Sequence, residues 1–181
     1  FLLEQPADAS NLVISEINYH PREATLLEKR DAAPLDLENK DLFEFIELTN
    51  NGTTAINLAD LSFTEGISLS LSPFPIAPGE RALVVRDQIA FLERYGQDLS
   101  SLIAGTFVGA LDNNGEILTL LDSAGNLISS FRFDDSDSWP ARPDGDGSSL
   151  ELRDLTGDPS NPDSWVPSVA FHGSPGVNGP I

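Results

Sequence analysis

The chain has 181 residues, 40% of them apolar, and its 29 acidic and 10 basic residues give a formal net charge of −19. This length and apolar content predict one domain with its own hydrophobic core. The negative field would repel a nucleic-acid duplex or an anionic bilayer, so we expect no nucleic-acid partner and no membrane insertion. No apolar run approaches the ~20 residues that span a membrane, and the absence of cysteine excludes disulfides and thiolate ligands.

The first half of the chain predicts short strands separated by turns. Residues 1–10 have the polar composition of a linker, and the alternating stretch 11–21 predicts a strand that ends at Pro21. A charged insertion follows at 22–41, in which "ATLLEKRD" has room for one or two helical turns. Further strands are predicted within 42–58, around an Asn-Asn-Gly turn, and within 67–72 and 74–85.

One short helix is predicted at about residues 87–95. Asp87 can cap its first turn, Phe91 and Tyr95 form an i,i+4 pair, and Gly96 ends it. No alternating series of strands and helices accompanies it. The helix is therefore expected to be an addition to a β-fold.

The stretch 111–133 predicts an antiparallel hairpin that turns at residues 123–126, and a strand at 148–154 follows an acidic loop. Together these signals amount to about eight short strands, a pattern typical of an all-β antiparallel sandwich. The side chains predicted to fill the core of the hairpin are Leu118, Leu120, Phe131 and Phe133.

The acidic loop, which opens the stretch "DDSDSWPARPDGDGSSLEL", is the candidate metal site. Calcium takes six to eight oxygen ligands from carboxylates and loop carbonyls. The spacing does not fit an EF-hand, because Ser149 and Leu155 stand where that motif needs glycine and glutamate. Asp-Gly pairs are also ordinary turn formers, so a solvated acidic turn remains the alternative. The candidate calcium ligands are Asp134, Asp135, Asp137, Asp144 and Asp146.

Catalytic arrangements find little support in the sequence. The two histidines, His20 and His172, lie in no G-x-S-x-G or H-E-x-x-H motif and are expected to brace turns or pack. A glycoside hydrolase that uses two carboxylates would need a cleft lined by Trp139 or Trp165 with two facing acids. We therefore expect no enzyme and no catalytic residues, and keep the glycosidase as an alternative.

Two glutamates lie inside predicted strands, Glu16 in "ISEI" and Glu47 in "FIEL". Burying either carboxylate without a partner would be costly. We expect each to meet solvent or a structural arginine. The alternative is that they converge on adjacent strands and bind a cation or a partner's amide.

Several motifs occur together in a fixed order: "VISEINYHP", "DLFEFIELTNNGTTAINLADLSFTEG", "IAPGERALVV", "LDNNGEILTLLDSAGNLISSFRFDD", "WPARPDGDGSSLEL" and "GSPGVN". From about residue 11 to residue 178 the chain resembles the lamin tail domain family, in particular its bacterial branch of secreted and surface proteins, and residues 179–181 would be a tail. The resemblance implies an immunoglobulin-like β-sandwich without catalytic residues, in which Trp139 packs on the sandwich.

The resemblance and the composition together predict a non-catalytic binding, adhesion or structural module. It would belong to a larger secreted or surface bacterial protein, lie outside the cell, and contact a protein or cell-surface ligand through strand edges and loops. A calcium-stabilised domain is the second expectation. No cofactor other than calcium is expected.

Overall fold

The computed structural model describes residues 4–31, 37–136 and 138–177, so Asp137 and the predicted tail lie outside the described residues. Within these ranges the chain forms short strands and a few short helices, as an all-β sandwich requires. No helix among the described residues is long and apolar enough to cross a membrane. The strands are β1 (Gln5–Pro6), β2 (Leu12–Asn18), β3 (Phe45–Asn50), β4 (Ile56–Asn57), β5 (Ser62–Glu65), β6 (Leu69–Ser70), β7 (Pro75–Ile76), β8 (Arg81–Val85), β9 (Ile103–Thr106), β10 (Ile117–Leu121), β11 (Leu127–Arg132), β12 (Leu150–Leu152) and β13 (Trp165–Pro167).

Two sheets form the layers of an immunoglobulin-like β-sandwich, which confirms the predicted fold class. The larger sheet has the strand order β13-β12-β2-β3-β8-β9, and the smaller has the order β11-β10-β5-β6. A third small sheet has the order β1-β4-β7. Strands distant in sequence are neighbours in the larger sheet, so its register is fixed by tertiary packing.

The core lies between the two sheets and takes apolar side chains from both. Alternation along β3 sends Ile46 and Leu48 into this core, and the hairpin of β10 and β11 supplies the predicted side chains from the other sheet. All four of those hairpin side chains, Leu118, Leu120, Phe131 and Phe133, are buried as predicted.

The outer face of the larger sheet carries the helix α2 (Gln88–Tyr95). The Asp87 carboxylate accepts a hydrogen bond from the Ala90 amide, and Gly96 ends the helix with a positive φ, as predicted. Phe91 packs from this helix onto Phe45 of β3. The helix therefore covers the part of the outer face that carries Phe45, Leu83 and Val85.

Two strand pairs are parallel, which the antiparallel prediction did not include. Strand β9 runs parallel to β8 because α2 and a 3₁₀ turn at Gln97–Leu102 form the crossover between them. Strand β1 runs parallel to β4, and Ala7 is buried in the core. Residues 5–7 of the predicted linker thus belong to the sandwich.

The charged insertion at 22–41 contains the helix α1 (Leu26–Asp31) and begins a 3₁₀ turn at Lys40–Phe43. The helix corresponds to the one or two helical turns that the sequence allowed there. Arg94 of α2 holds this segment, because its guanidinium bonds the Glu28 carboxylate at 2.9 Å.

Candidate functional site

Three glutamates lie opposite one another on three adjacent strands of the larger sheet. The register pairs Glu151 of β12 with Glu16 of β2, and Glu16 with Glu47 of β3. All three are almost fully buried. We call Glu151, Glu16 and Glu47 the glutamate row.

A bulge in β2 places Glu16 on the outer face of the sheet. The pairing between β2 and β3 shifts between Ile14 and Glu16, so Ile14 and Ile17 both point into the core although they are three residues apart. The extra residue, Ser15, contributes its hydroxyl to the Glu47 carboxylate at 2.7 Å. The bulge therefore places both the Glu16 carboxylate and the Ser15 hydroxyl, which is a hydrogen-bond donor, in the row.

The C-terminal residues 173–177 lie across the row and bind it through their own donors. The Ser174 amide donates to Glu16 Oε1 at 2.9 Å, and the Gly176 amide donates to Glu47 Oε2 at 2.7 Å. The Ser174 hydroxyl bonds the third carboxylate, that of Glu151. We call residues 173–177 the C-terminal clasp.

Further donors from the sheet complete the site. The Ser149 hydroxyl donates to Glu16 Oε1 at 2.5 Å, and Arg81 Nε donates to Glu47 Oε1 at 2.9 Å. The Arg81 and Glu47 side chains are 10% and 3% exposed, so this ion pair is buried. Two of the three carboxylates are held mainly by neutral hydroxyls and amides.

Burial dominates the electrostatics of the row. It raises the pKa of Glu16 to about 8, with the Glu47 carboxylate adding to the increase and the Ser149 hydroxyl opposing it. Burial also raises the pKa of Glu47 and of Glu151. The row is therefore a set of desolvated carboxylates that fixes the clasp to the sheet by hydrogen bonds.

The expectation that each strand glutamate meets solvent or an arginine is confirmed for Glu47 and wrong for Glu16, which is buried and is held by the Ser149 hydroxyl and the Ser174 amide. Glu47 does meet a structural arginine, and the glutamates do converge on adjacent strands. The amides that they bind belong to their own chain. The sequence reasoning missed Glu151, Ser174 and Gly176 as members of the site, and the available signal was a glutamate flanked by apolar residues in "LEL".

The carboxylates of the acidic loop bond separate neighbouring residues and do not converge on one point. Asp134 accepts from Arg132 Nε at 2.8 Å and from the Ser136 amide at 2.9 Å, and the Arg132 side chain holds the Asp134 pKa at about 2. Asp144 bonds His20 Nδ1 at 2.7 Å, and Asp146 is exposed. Across 4–31, 37–136 and 138–177, no group of three or more acidic or histidine side chains is arranged to hold a metal ion. The calcium ligand set, which includes Asp135 and the undescribed Asp137, stays a prediction.

Trp165 is buried in the core of the sandwich, and Trp139 is partly buried beside it. Trp139 packs at 6.3 Å from Trp165, as the resemblance implied, and both line an open depression. Asp163 is the one carboxylate among the described residues that line this depression. Glycoside hydrolysis needs a second, facing carboxylate.

The longest free edge of the two main sheets is strand β11. It pairs with β10, and no other described strand pairs with it. Of the other end strands, β9 has four residues, β13 has three, including Pro167, and β6 has two. Strand β11 therefore offers the longest unpaired backbone at the ends of these sheets.

This architecture defines a class of protein, an immunoglobulin-like β-sandwich whose buried polar site serves its own packing. The family model of the Lamin Tail Domain matches residues 5–135, and the chain belongs to that family. Lamin tail domains form a non-catalytic family, compatible with a binding or structural module. No curated protein and no solved structure matches the chain.

Proposed function

We propose that this domain is a non-catalytic binding module of a larger secreted or surface bacterial protein, and that it docks on a protein partner through the free edge of β11. The observation that carries the proposal is this six-residue edge at the end of the smaller sheet. Exposed sheet edges bind partner strands through main-chain hydrogen bonds.

The direction of the backbone groups along β11 follows from one hydrogen bond. The Phe133 amide donates to the Glu116 carbonyl at 3.1 Å, toward β10. Because amides alternate sides along an antiparallel strand, those of Arg132 and Ser130 point toward the free side. These groups are available to a partner strand.

Strand β11 also lacks the usual protection of an edge. Its single charged residue, Arg132, is paired with Asp134, and the strand contains no proline. Leu127, at its start, is 56% exposed. Natural edges that avoid pairing carry lysine, proline or inward charges, so this edge is suited to pairing.

Two variants of one residue test the proposal. Ser130→Pro removes the outward amide without removing a ladder hydrogen bond to β10, and Ser130→Ala removes the hydroxyl that contacts Thr119 and keeps the amide. The labelled domain and both variants are assayed for binding to the cell envelope and secreted proteins of the producing bacterium. Their melting temperatures are measured first, to establish that each variant is folded at the assay temperature.

We expect the wild type and Ser130→Ala to bind and Ser130→Pro to lose binding. Equal binding by both variants would move the docking site away from β11. No binding by any of the three would contradict the proposed module function.

A calcium site in the acidic loop is a separate proposal that concerns stability. It rests on the sequence, through the density of aspartates at 134–146 and the preference of calcium for carboxylate oxygens. Docking through β11 does not depend on it.

A further inference from the structure

A second pocket, apart from the β11 edge, contains both histidines of the chain. His20 and His172 line a cavity of about 490 Å³ together with Arg22, Lys40 and Phe171. The pocket lies where the charged insertion, the acidic loop and the C-terminal residues meet. Neither the glutamate row nor the β11 edge accounts for this arrangement.

The pocket contains cationic side chains that have no acidic partner among the described residues. Arg22 and Lys40 form no ion pair or hydrogen bond through their side chains with any residue in the described parts of the chain. The Arg22 guanidinium lies over the Phe171 ring, 5.5 Å from its centre. Six of the ten lysines and arginines of the chain form ion pairs with described residues: Lys29, Arg30, Arg81, Arg86, Arg94 and Arg132.

His172 has two features that its packing does not require. It adopts a φ of +75°, a conformation that residues other than glycine rarely hold, and its buried Nδ1 has no hydrogen-bond partner among the described residues. Its carbonyl is fixed, because the Tyr95 hydroxyl donates to it at 2.9 Å. Burial and the nearby Arg94 and Arg22 charges lower the pKa of His172. His172 thus combines a strained backbone conformation with a buried ring nitrogen that is unpaired among the described residues.

A glycine of the acidic loop allows the backbone to pack closely against the side chains of this pocket. A Cβ on Gly147 would lie 2.4 Å from the Phe171 ring and 3.0 Å from the Arg22 side chain, and Gly147 has a φ of +87°. The ring of His20 is held through its Nδ1 by Asp144 at 2.7 Å, which leaves Nε2 for another contact. The "DGDG" segment therefore shapes this wall through its glycines.

The backbone beneath Arg22 is anchored as well. Arg94 donates to the Arg22 carbonyl at 3.0 Å and to the Glu23 carbonyl at 3.2 Å. Among the described acids near the pocket, Glu23 is exposed, Asp144 is engaged by His20, and Glu28, whose charge also acts on His172, is bound by Arg94. Among the described residues, the pocket lining contains two cations, Arg22 and Lys40, against the single carboxylate of Glu23, and this excess of positive charge favours an anion.

We propose that this pocket binds an anionic ligand through a carboxylate, phosphate or sulfate group, with Arg22 and Lys40 as the principal contacts. A guanidinium presents paired donors that match an oxyanion, and an ammonium adds a compact positive charge. Nε2 of His20, which has no hydrogen-bond partner among the described residues, supplies a further polar contact. Phe171 provides an apolar surface beside them.

The histidines make the test specific, because the chain has two and both line the pocket. Their ring signals are followed by heteronuclear NMR at fixed pH while inorganic phosphate, sulfate or acetate replaces chloride at constant ionic strength. We expect saturable shifts of both rings with at least one of these anions. The anion that saturates at the lowest concentration identifies the preferred oxyanion group.

Matched variants separate this pocket from general charge effects. Arg22→Ala/Lys40→Ala removes the proposed contacts, and Arg142→Ala/Arg153→Ala removes two cations that also lack ion pairs with described residues but lie outside the pocket. The first double variant should bind about tenfold or more weakly, since hydrogen bonds to charged groups contribute more than neutral ones. The second should bind as the wild type does.

Linear shifts without saturation, or equal affinity in both double variants, would overturn the proposal. Circular dichroism and the melting temperature establish that each variant is folded before it is titrated. Because the assay uses small anions, its outcome is independent of partner binding through β11.

Discussion

The chain holds two groups of acidic side chains that have opposite properties. In the acidic loop, Asp134 is accessible to water and held by Arg132, and its pKa lies at about 2. In the glutamate row, burial raises the pKa of Glu16 to about 8. The loop has the higher density of acids, yet the row contains the carboxylates that folding desolvates.

The difference shows that the number of carboxylates in a segment does not decide their energetic effect. A carboxylate that stays in contact with water loses little hydration on folding, and its pair with a largely exposed arginine contributes little to stability. A buried carboxylate needs a hydrogen bond for almost every lone pair, and each donor becomes structurally important. In this chain those donors include the C-terminal clasp.

The largest expected effect is the loss of stability when the buried ion pair of the glutamate row is broken, compared with the loss when the more exposed pair of the acidic loop is broken. Glu47→Ala removes the acceptor of Arg81, Ser15 and Gly176, and we expect a loss of about 3–5 kcal/mol in the free energy of unfolding. Asp134→Ala breaks a more exposed pair and should cost about 1 kcal/mol or less. Denaturant titrations of both variants measure the contrast, and equal losses would contradict it.

The calcium proposal gives the loop its own test. A calcium site at residues 134–146 predicts that millimolar calcium raises the melting temperature above its value in EDTA, while magnesium does not. Saturation at a hundred times the dissociation constant corresponds to about 2.7 kcal/mol, or roughly 5–10 °C for a chain of this size. Equal shifts of the melting temperature with calcium and magnesium would mean that the loop is a solvated turn without a specific calcium site.

A pair of glycines tests the close contact between clasp and row. A Cβ on Gly173 would lie 2.7 Å from Glu16 Oε1, whereas Gly109 has a similar φ and nothing within 4 Å of its Cβ position. Gly109→Ala should therefore show the cost of backbone strain, about 1 kcal/mol. Gly173→Ala should lose about 1–3 kcal/mol more, because the added methyl group displaces the clasp. Equal unfolding free energies for the two variants would mean that the clasp can move away from Glu16 without a loss of stability.

The last expected effect concerns the pH dependence of stability. Because the pKa of Glu16 rises from 4.5 to about 8 on folding, the folded state holds a proton that the unfolded state has lost between these values. Stability should therefore fall as the pH rises from 4.5 to 8. Glu47 and Glu151, whose pKa values are also raised, contribute with the same sign.

Glu16→Gln should remove part of this dependence, because its amide oxygen can accept the same hydrogen bonds without ionising. We expect the variant to match the wild type below pH 4.5, where Glu16 is protonated in both states, and to gain stability relative to it progressively as the pH rises to 8. Asp134→Asn is the control, since the lowered pKa of Asp134 affects stability only at more acidic pH. If stability depends on pH as steeply in Glu16→Gln as in the wild type, Glu16 is not the source of that dependence.

The elements that sequence predicts well are those with local causes. The helix at Gln88–Tyr95 follows from its cap at Asp87 and its stop at Gly96, and the hairpin of β10 and β11 follows from alternation around a tight turn. Strand β9 was missed, because its parallel pairing with β8 depends on a crossover and not on any pattern of its own. The bulge at Ser15 was missed because only the partner strand defines it.

The sequence by itself determined the sandwich class, the helix at Gln88–Tyr95 and the hairpin of β10 and β11, because periodicity and turn chemistry are local properties of the chain. Only the tertiary structure decided that Glu151, Glu16 and Glu47 form one row beneath the clasp. Their meeting depends on the register between strands that are far apart in sequence, and on burial that no single segment can produce. The same holds for the pocket of His20 and His172, whose walls come from three separate segments.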